Sequence, residues 1–289
     1  MDAGRILVVD DEQNARIVLK KVLSRDGFEV TTVENGEDGL KAISVSRPDL
    51  VLMDIIMPDY NGRDVIAQMK QREGENMPPY IYLTVDPTHE REGLEEGADD
   101  YIYKGDMNSD KLQIIRLRVK NTMLVRNMLY KDGLTGLYNH GFFRNALKRI
   151  HAEAAAQHDP LSLIIGDIDE FKSLNDVYGH SYGDRLLAEI ADVFRAVARQ
   201  SDVVSRYGGE EFAVIAPHTS GSEATEIAEK LRRGLGGLSF AGQQGPVTMS
   251  FGIAKSPAEG CEDDADMLRS AEDRMYLAKR SGKNRVVGE

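Results

Sequence analysis

The segment Arg206-Tyr207-Gly208-Gly209-Glu210-Glu211-Phe212 restricts the fold more than any other stretch of this chain. Val203-Val204 precede it and Phe212-Ala213-Val214-Ile215 follow it, so two short strands meet at a Gly-Gly turn. Two glycines offer positive φ without a Cβ penalty and leave the backbone bare, so that a phosphate or a base can approach Gly209 closely. Glu210 and Glu211 then open the return strand, a costly place for acids unless a cation neutralises them. An ordinary solvated hairpin is the plain alternative for any such turn, but residues 166–184 weigh against it. Asp167 ends the apolar run Leu161–Gly166, and a helical turn carrying Phe171 and Lys172 follows. A strand paired with the hairpin brings Asp167 close to Glu210. Two carboxylates on adjacent strands suffice to frame two Mg²⁺ ions about 4 Å apart, which can hold a triphosphate and lower the pKa of an attacking hydroxyl.

The net charge of −12 argues against general binding to nucleic acid or to an anionic membrane. A polyanionic substrate then needs metal ions and a local group of lysines. Lys172, Lys279 and Lys283 can supply that charge, although each alone reads equally as part of a solvated face. Lys279 and Lys283 are four apart and share a face if the helix continues through Ser281-Gly282. Asn175 and Asp184 can form a base-reading pair, because guanine offers an N1–H and N2–H₂ edge that a carboxylate accepts. Singly, each is as well explained as a helix cap. Arg199 and Asp202 stand at i, i+3, and five residues separate Asp202 from Gly208. They read as a helix-end ion pair or as a fork for guanine or phosphate.

With 289 residues the chain is long enough for two domains, and 41% hydrophobic with 29% charged residues is a globular composition. The one cysteine, Cys261, excludes an intramolecular disulfide and fits a reducing compartment. Met1-Asp2-Ala3-Gly4-Arg5 runs straight into a strand, with no visible signal peptide, and no apolar stretch reaches membrane-spanning length. A cytoplasmic location, with no membrane and no nucleic acid as partner, is the expectation. The segment from Glu259 to Asp264 reads as an acidic surface loop.

Short strand-like runs, Arg5–Val9, Glu29–Val33, Leu50–Met53, Tyr80–Thr84 and Tyr101–Tyr103, alternate with helical periodicity over residues 1–108. The first, third and fourth are nearly continuous apolar runs, which suits a doubly wound parallel sheet. Asp10 and Asp11 follow the first strand, Asp54 the third, Thr84 ends the fourth and Lys104 follows the fifth. All then meet at the carboxyl edge, where such folds place ligands. Three carboxylates there call for a hard cation such as Mg²⁺, and a carboxylate beside Mg²⁺ and a lysine can accept a phosphoryl group. Any single aspartate at a strand end is as readily a helix N-cap. Residues 109–131 read as a helical linker, with Ile114, Leu117, Asn121, Leu124 and Met128 spaced 3, 4, 3, 4 as in a two-stranded coiled coil. An amphipathic helix packed on its own domain is the other reading. Residues 132–289 form a second, α+β domain, with strands Leu161–Gly166 and Val247–Ile253 and helices Gly183–Gln200, Ser222–Leu235 and Asp264–Lys279.

The first domain resembles response-regulator receiver domains, on the strand-end groups and on Asp54-Ile55-Ile56-Met57-Pro58-Asp59-Tyr60-Asn61-Gly62. The resemblance implies Asp54 as phosphoacceptor, Asp10, Asp11, Asp54 and the Ile56 carbonyl as ligands of one Mg²⁺, and Thr84 and Lys104 as readers of the phosphoryl group. Tyr101 would be the switch aromatic, and a sensor histidine kinase the donor. Gly105 stands where the family usually has proline, and Val85 where a smaller residue is common.

The second domain resembles GGDEF-type diguanylate cyclases. Asp132-Gly133-Leu134-Thr135-Gly136-Leu137-Tyr138-Asn139, Asp167-Ile168-Asp169-Glu170-Phe171-Lys172, Asn175-Asp176, Gly179-His180, Gly183-Asp184 and the Gly208–Phe212 signature carry the resemblance. It implies a ferredoxin-like sheet related to polymerase palms and nucleotidyl cyclases. Asp167, the Ile168 carbonyl and Glu210 would bind two Mg²⁺ (Mn²⁺ being the alternative ion), with Glu210 as base for the 3′-hydroxyl, Lys172 stabilising the transition state and Glu211 supporting the metal ligands. Asn175 and Asp184 would recognise guanine and His180 would line the nucleotide site, with Phe171, Gly209, Lys279 and Lys283 completing the substrate contacts. Arg199 and Asp202 would form a product inhibitory site. The whole implies a phosphorylation-controlled enzyme that condenses two GTP into cyclic di-GMP across a homodimer, with feedback by its product. The alternative is a non-catalytic module that binds GTP or cyclic di-GMP and acts through a protein partner.

Overall fold

The strands read as continuous apolar runs are the buried centre of a parallel sheet. The computed structural model describes residues 4–46, 48–58, 60–73, 77–85, 90–105, 107–238, 245–257 and 262–288. The chain divides into two units, Met1–Leu129 and Tyr130–Glu289. In the first, β1 (Arg5–Val9), α1 (Gln13–Arg25), β2 (Glu29–Val33), α2 (Gly36–Ser46), β3 (Leu50–Asp54), α3 (Gly62–Glu73), β4 (Tyr80–Thr84), α4 (Glu90–Glu95), β5 (Asp100–Tyr103) and α5 (Ser109–Tyr130) follow in order. The strands lie in the order β2-β1-β3-β4-β5 and every pairing is parallel. Successive side chains face opposite ways. Ile6, Val8, Leu50, Leu52, Ile81 and Leu83 therefore pack against α1 and α5, while Leu7, Val9, Val51, Met53 and Tyr82 pack against α2 and α3. Both faces are covered, which explains why β3 and β4 are buried at every position.

The stretch read as a helical linker coincides with α5. Ile115, Val119 and Met123, each four residues from the last, bury one face against the β-sheet core. Ile114, Leu117, Asn121, Leu124 and Met128, the stripe with coiled-coil spacing, stand exposed on the other side. Arg116 fixes the helix to the C-cap of α1. Its Nε donates to Asp26 Oδ2 at 2.6 Å and Nη2 to Oδ1 at 2.5 Å, with Lys120 Nζ at 3.0 Å. These cations hold the Asp26 carboxyl down at about 2, below its ordinary 3.8, the Arg116 hydrogen bond contributing most. A depressed carboxyl stabilises the fold above its unfolded pKa, and this contribution is lost as pH falls from about 4 towards 2. The stability gap between wild type and Asp26→Asn should therefore narrow over that window in urea unfolding. A gap that stays constant or widens would mean the pair contributes nothing to folding.

The second unit contains α6 (His140–Gln157), β6 (Leu161–Ile168), α7 (Phe171–Tyr178), α8 (His180–Val197), β7 (Val203–Arg206), β8 (Glu211–Pro217), α9 (Gly221–Gly236), β9 (Met249–Ser256), α10 (Asp264–Arg280) and β10 (Val286–Val287). The sheet order is β10-β9-β6-β8-β7, with β6 antiparallel to both β8 and β9, β7 antiparallel to β8, and β10 parallel to β9. Without β10, this is the βαββαβ order of a ferredoxin-like fold. One face packs Ile164, Phe212, Val214 and Phe251 against α8 and α9; the other packs Leu163, Ile165, Ala213 and Ile215 against α6 and α10. The helix starts are marked locally. Asn139 caps α6 by accepting from Phe142 N, Ser220 and Glu223 form a capping box on α9, and Asp263 caps α10 by accepting from Asp266 N.

The Gly-Gly turn differs from the sequence expectation in one respect: neither Gly208 nor Gly209 adopts a left-handed conformation. The loop closes instead through Tyr207 N and Gly208 N, which both donate to Glu211 O at 2.8 and 3.1 Å. A Cβ at Gly208 would meet the Glu211 side chain, with Cδ 3.2 Å away, so a larger residue there would move that carboxylate. At Gly209 the space beside Cα is open. Among the described residues, no helix is long and apolar enough to cross a membrane.

Candidate functional site

Parallel β1, β3, β4 and β5 end at the same edge of the first unit, and their ends carry a polar pocket. Carboxylate oxygens of Asp10, Asp11 and Asp54 all lie within 4.8 Å of one another, Asp10 and Asp54 buried and Asp11 exposed. Lys104 Nζ donates to Asp54 Oδ2 at 2.6 Å and to Asp10 Oδ2 at 2.9 Å. Burial pushes the Asp54 carboxyl up to about 6, against the pull of the Lys104 ammonium. Burial alone would lower the Lys104 pKa, but hydrogen bonds to Asp54 and Asp10 outweigh it and the pKa goes up. Thr84 is buried at the end of β4 and Tyr101 is buried in β5. Ile56 N donates to Asp54 Oδ1 at 3.2 Å, and Ile56 pairs with Asn61 in a short bridge that closes the loop after β3. Gly62 seals that loop, where a Cβ would stand 2.9 Å from Asp54 C. Gly105 takes φ +40°, a conformation closed to the proline usual at that position. Val85 is exposed beside Thr84. Asp59 lies outside the described residues.

In the second unit, antiparallel pairing of β6 with β8 brings Asp167 to the hairpin, in a register that sets it opposite Glu211 rather than the expected Glu210. Asp167 on β6 is opposite Glu211 on β8 and Ser250 on β9, and Ile168 N donates to Glu210 O at 3.2 Å. Asp167, Glu210 and Glu211 thus stand near one another at the ends of β6 and β8, close enough for the Asp167 charge to act on both glutamates, although among the described residues only Asp10, Asp11 and Asp54 bring three acidic oxygens within 4.8 Å. Lys279, in the last turn of α10, bonds Asp167 Oδ1 and reaches the Ile168 carbonyl at 3.3 Å. Burial raises the pKa of Asp167, against the Lys279 ammonium. It also raises Glu210 and Glu211, and in both the neighbouring Asp167 charge adds to the rise. The donors are all oxygen, and a cation already spans two of them, so the corner suits a hard divalent ion such as Mg²⁺.

Around this corner, Lys172 is exposed on α7 above the buried Phe171, and Lys283 pairs with Glu170, the N-cap of α7. Asn175 is half-buried, and its Oδ1 makes no hydrogen bond although it is shielded from solvent. His180 and Asp184 are exposed in the first turns of α8, and Gly209 is exposed at the hairpin. Arg199 and Asp202 form a closed pair at the end of α8. Arg199 Nη2 donates to Asp202 Oδ1 at 2.8 Å, and Arg199 N to Oδ2 at 2.8 Å. The Asp202 side chain is 0% exposed and the Arg199 side chain 44%, so the guanidinium is the accessible partner. Of the segment Glu259–Asp264, residues 259–261, including Cys261, lie outside the described residues.

Two residues escaped the sequence reading. Asp169 is buried and accepts from Thr248 Oγ1 and Ser250 Oγ, both at 2.7 Å, and from Asn284 N at 3.0 Å. It ties the strand that carries Asp167 to the turn that carries Lys283. Glu272 on α10 accepts from the Tyr207 hydroxyl at 2.8 Å and so anchors the hairpin base. An aspartate two residues beyond Asp167, on the same side of an extended chain, was the available signal for the first. Nothing local signals the second.

Comparison with known proteins agrees with this division. The sequence model described as "Response regulator receiver domain" matches residues 6–116, and the one described as "Diguanylate cyclase, GGDEF domain" matches residues 129–285. The chain is 33% identical over 306 residues to the response regulator PleD of Caulobacter vibrioides, covering 99% of this chain and 66% of that protein. It is 38% identical over 189 residues to the diguanylate cyclase VdcA of Vibrio cholerae, covering 63% of this chain and 53% of that protein. It therefore spans just under two thirds of the first of these relatives and about half of the second. A solved structure of the coiled coil and GGDEF domain of DgcB from Caulobacter crescentus, in complex with c-di-GMP, superposes with a TM-score of 0.56 at 30% identity. That match covers 68% of this chain and 98% of the other.

Proposed function

Since the chain belongs to the GGDEF diguanylate cyclase family and carries a response regulator receiver domain ahead of it, we propose that it condenses two GTP into cyclic di-GMP and two pyrophosphates under control of phosphorylation at Asp54. The observation that carries this reading is that Lys279 bonds both Asp167 and the Ile168 carbonyl at the end of the strand, with Glu210 near enough for the Asp167 charge to raise its pKa. Each domain binds one GTP. The 3′-oxygen of one nucleotide forms a bond to the α-phosphorus of the other, the bond from that phosphorus to the pyrophosphate breaks, and Glu210 takes the hydroxyl proton. A carboxyl raised by burial and by a like charge is the better base near neutral pH. Bound Mg²⁺, one ion in the receiver pocket and two between Asp167, Ile168 O and Glu210, would neutralise phosphate charge and acidify the hydroxyl. Lys172, Lys279 and Lys283 offset the remaining charge, Glu211 supports the acidic corner, and Gly209 lets a phosphate approach the hairpin. Asn175 and Asp184 read guanine, with Phe171 and His180 beside the nucleotide.

A single catalytic domain holds half a site, so the enzyme works as a homodimer. The exposed stripe Ile114, Leu117, Leu124 and Met128 on α5, with Asn121 at a seam position, supports pairing of two such helices. A phosphoryl group on Asp54, delivered by a histidine kinase and held by Thr84 and Lys104, shifts the receiver, with Tyr101 as its aromatic reporter. How often the half-sites meet then depends on the receiver state. Arg199 and Asp202 take the product as a brake, the exposed Arg199 guanidinium supporting this reading; an initial rate unaffected by added cyclic di-GMP would remove that part. A GTP substrate and a histidine kinase donor are what support a cytoplasmic location.

Product analysis with GTP and Mg²⁺, with and without acetyl phosphate as donor, tests the whole. Cyclic di-GMP that rises with donor in wild type and stays at the basal level in Asp54→Asn is the expected result, by about tenfold for a coupling free energy typical of allosteric proteins. Equal stimulation of both proteins would detach Asp54 from control. Nucleotide bound without product under any condition would leave a non-catalytic binding module.

A further inference from the structure

Gly183 sits in the first turns of α8, where alanine is favoured over glycine. Its backbone is not left-handed, so local conformation does not demand glycine. The demand comes from a neighbour. A Cβ at 183 would stand 2.9 Å from Asn175 Cγ and 3.1 Å from Phe171 Cζ, and closer still to Asn175 Oδ1. The Asn175 carboxamide therefore rests on bare helix backbone, next to the residue that precedes Asp184. Its Oδ1 is buried there without a hydrogen-bond partner, an arrangement that is costly for a polar group. Rotation about Cβ–Cγ exchanges the two ends of the amide, so either the acceptor or the donor can be offered without moving the backbone.

We infer that Gly183 is a specificity-determining positioning residue: its missing side chain seats the Asn175 carboxamide against α8, at the spacing from Asp184 that lets the pair take the amino edge of guanine. The inference rests on the reading of Asn175 and Asp184 as guanine contacts. Gly183 itself touches no substrate. Its effect runs through the place it leaves for Asn175. A purely structural glycine in a helix would behave differently, since replacing it by alanine would change stability and leave base preference alone.

The test is a double-mutant cycle on the full chain: wild type, Gly183→Ala, Asn175→Ala and the pair. For each protein the KM for GTP, the kcat, the Ki for ITP (which lacks the exocyclic amine) and the melting temperature are measured. Gly183→Ala should raise KM for GTP about tenfold, the worth of one good hydrogen bond, with kcat nearly unchanged and the preference for GTP over ITP reduced. Its melting temperature should fall, because the new methyl must displace Asn175 and meets Phe171 Cζ at 3.1 Å, a crowding that outweighs the gain in helix propensity, so the base preference and the cycle carry the test. On the Asn175→Ala background the same change should add nothing to KM, because no carboxamide remains to be displaced. Additive effects, or a Gly183→Ala protein with wild-type preference while Asn175→Ala loses it, would overturn the inference. A wild-type preference retained by Asn175→Ala would instead overturn the guanine-reading role of Asn175, and the inference with it.

Discussion

Glu210→Gln should abolish turnover, by at least about a thousandfold in kcat, while the protein stays folded and keeps its oligomeric state. The change is nearly isosteric and removes both the proton acceptor and one anionic ligand from the corner shared with Asp167. Folding should gain slightly. Burial and the Asp167 charge already raise the Glu210 pKa, so in the metal-free protein an ionised Glu210 is a small cost at neutral pH that the amide avoids. Loss of activity with a melting temperature equal to or above wild type is thus the expected pair of results, read by product chromatography and calorimetry. Activity within a few-fold of wild type would take Glu210 out of the chemistry. Loss of activity with a collapsed melting temperature would make it a structural residue.

Sequence patterning exposed the frame of both sites and concealed their wiring. β3 and β4 could be read because a strand covered on both faces is apolar throughout, and the polar groups that end them then stand out as Asp54 and Thr84. The approach of Asp167 to the hairpin followed from a single assumption, that β6 pairs with β8. The α5 stripes were not separable in the same way. Ile115, Val119 and Met123 form one apolar face and Ile114, Leu117, Leu124 and Met128 another, and periodicity cannot say which meets the core when both exist on one helix. The Gly208-Gly209 dipeptide suggested left-handed turn residues, yet the loop closes by two amides sharing the Glu211 carbonyl, a geometry that composition does not encode. Least legible were partners distant in sequence. Lys279 meets Asp167 across 112 positions, and Asp169 meets Asn284 N across 115.

That first long-range pair sets up an equally large effect. Lys279 bonds the Asp167 carboxylate and the Ile168 carbonyl, two of the three groups proposed to receive Mg²⁺, so its ammonium has two places to act: on the acidic corner and on a bound phosphate. Lys279→Met keeps the length and the apolar stem and removes only the charge. At the corner, Asp167 then loses the cation that opposes its burial. Its pKa climbs further, and ionised Asp167 costs folding more at neutral pH, so the metal-free protein should melt lower than wild type. Added Mg²⁺ without nucleotide should restore more stability to Lys279→Met than to wild type, because the ion no longer competes with a tethered ammonium for the same oxygens. On the substrate side, one charge-assisted contact to phosphate disappears, and KM for GTP should rise by about tenfold or more. The two readouts move in opposite senses, tighter for the metal and weaker for the nucleotide, which a general loss of structure would not produce. A Mg²⁺-induced shift in melting temperature no larger than that of wild type would show that Lys279 and the metal do not share a site.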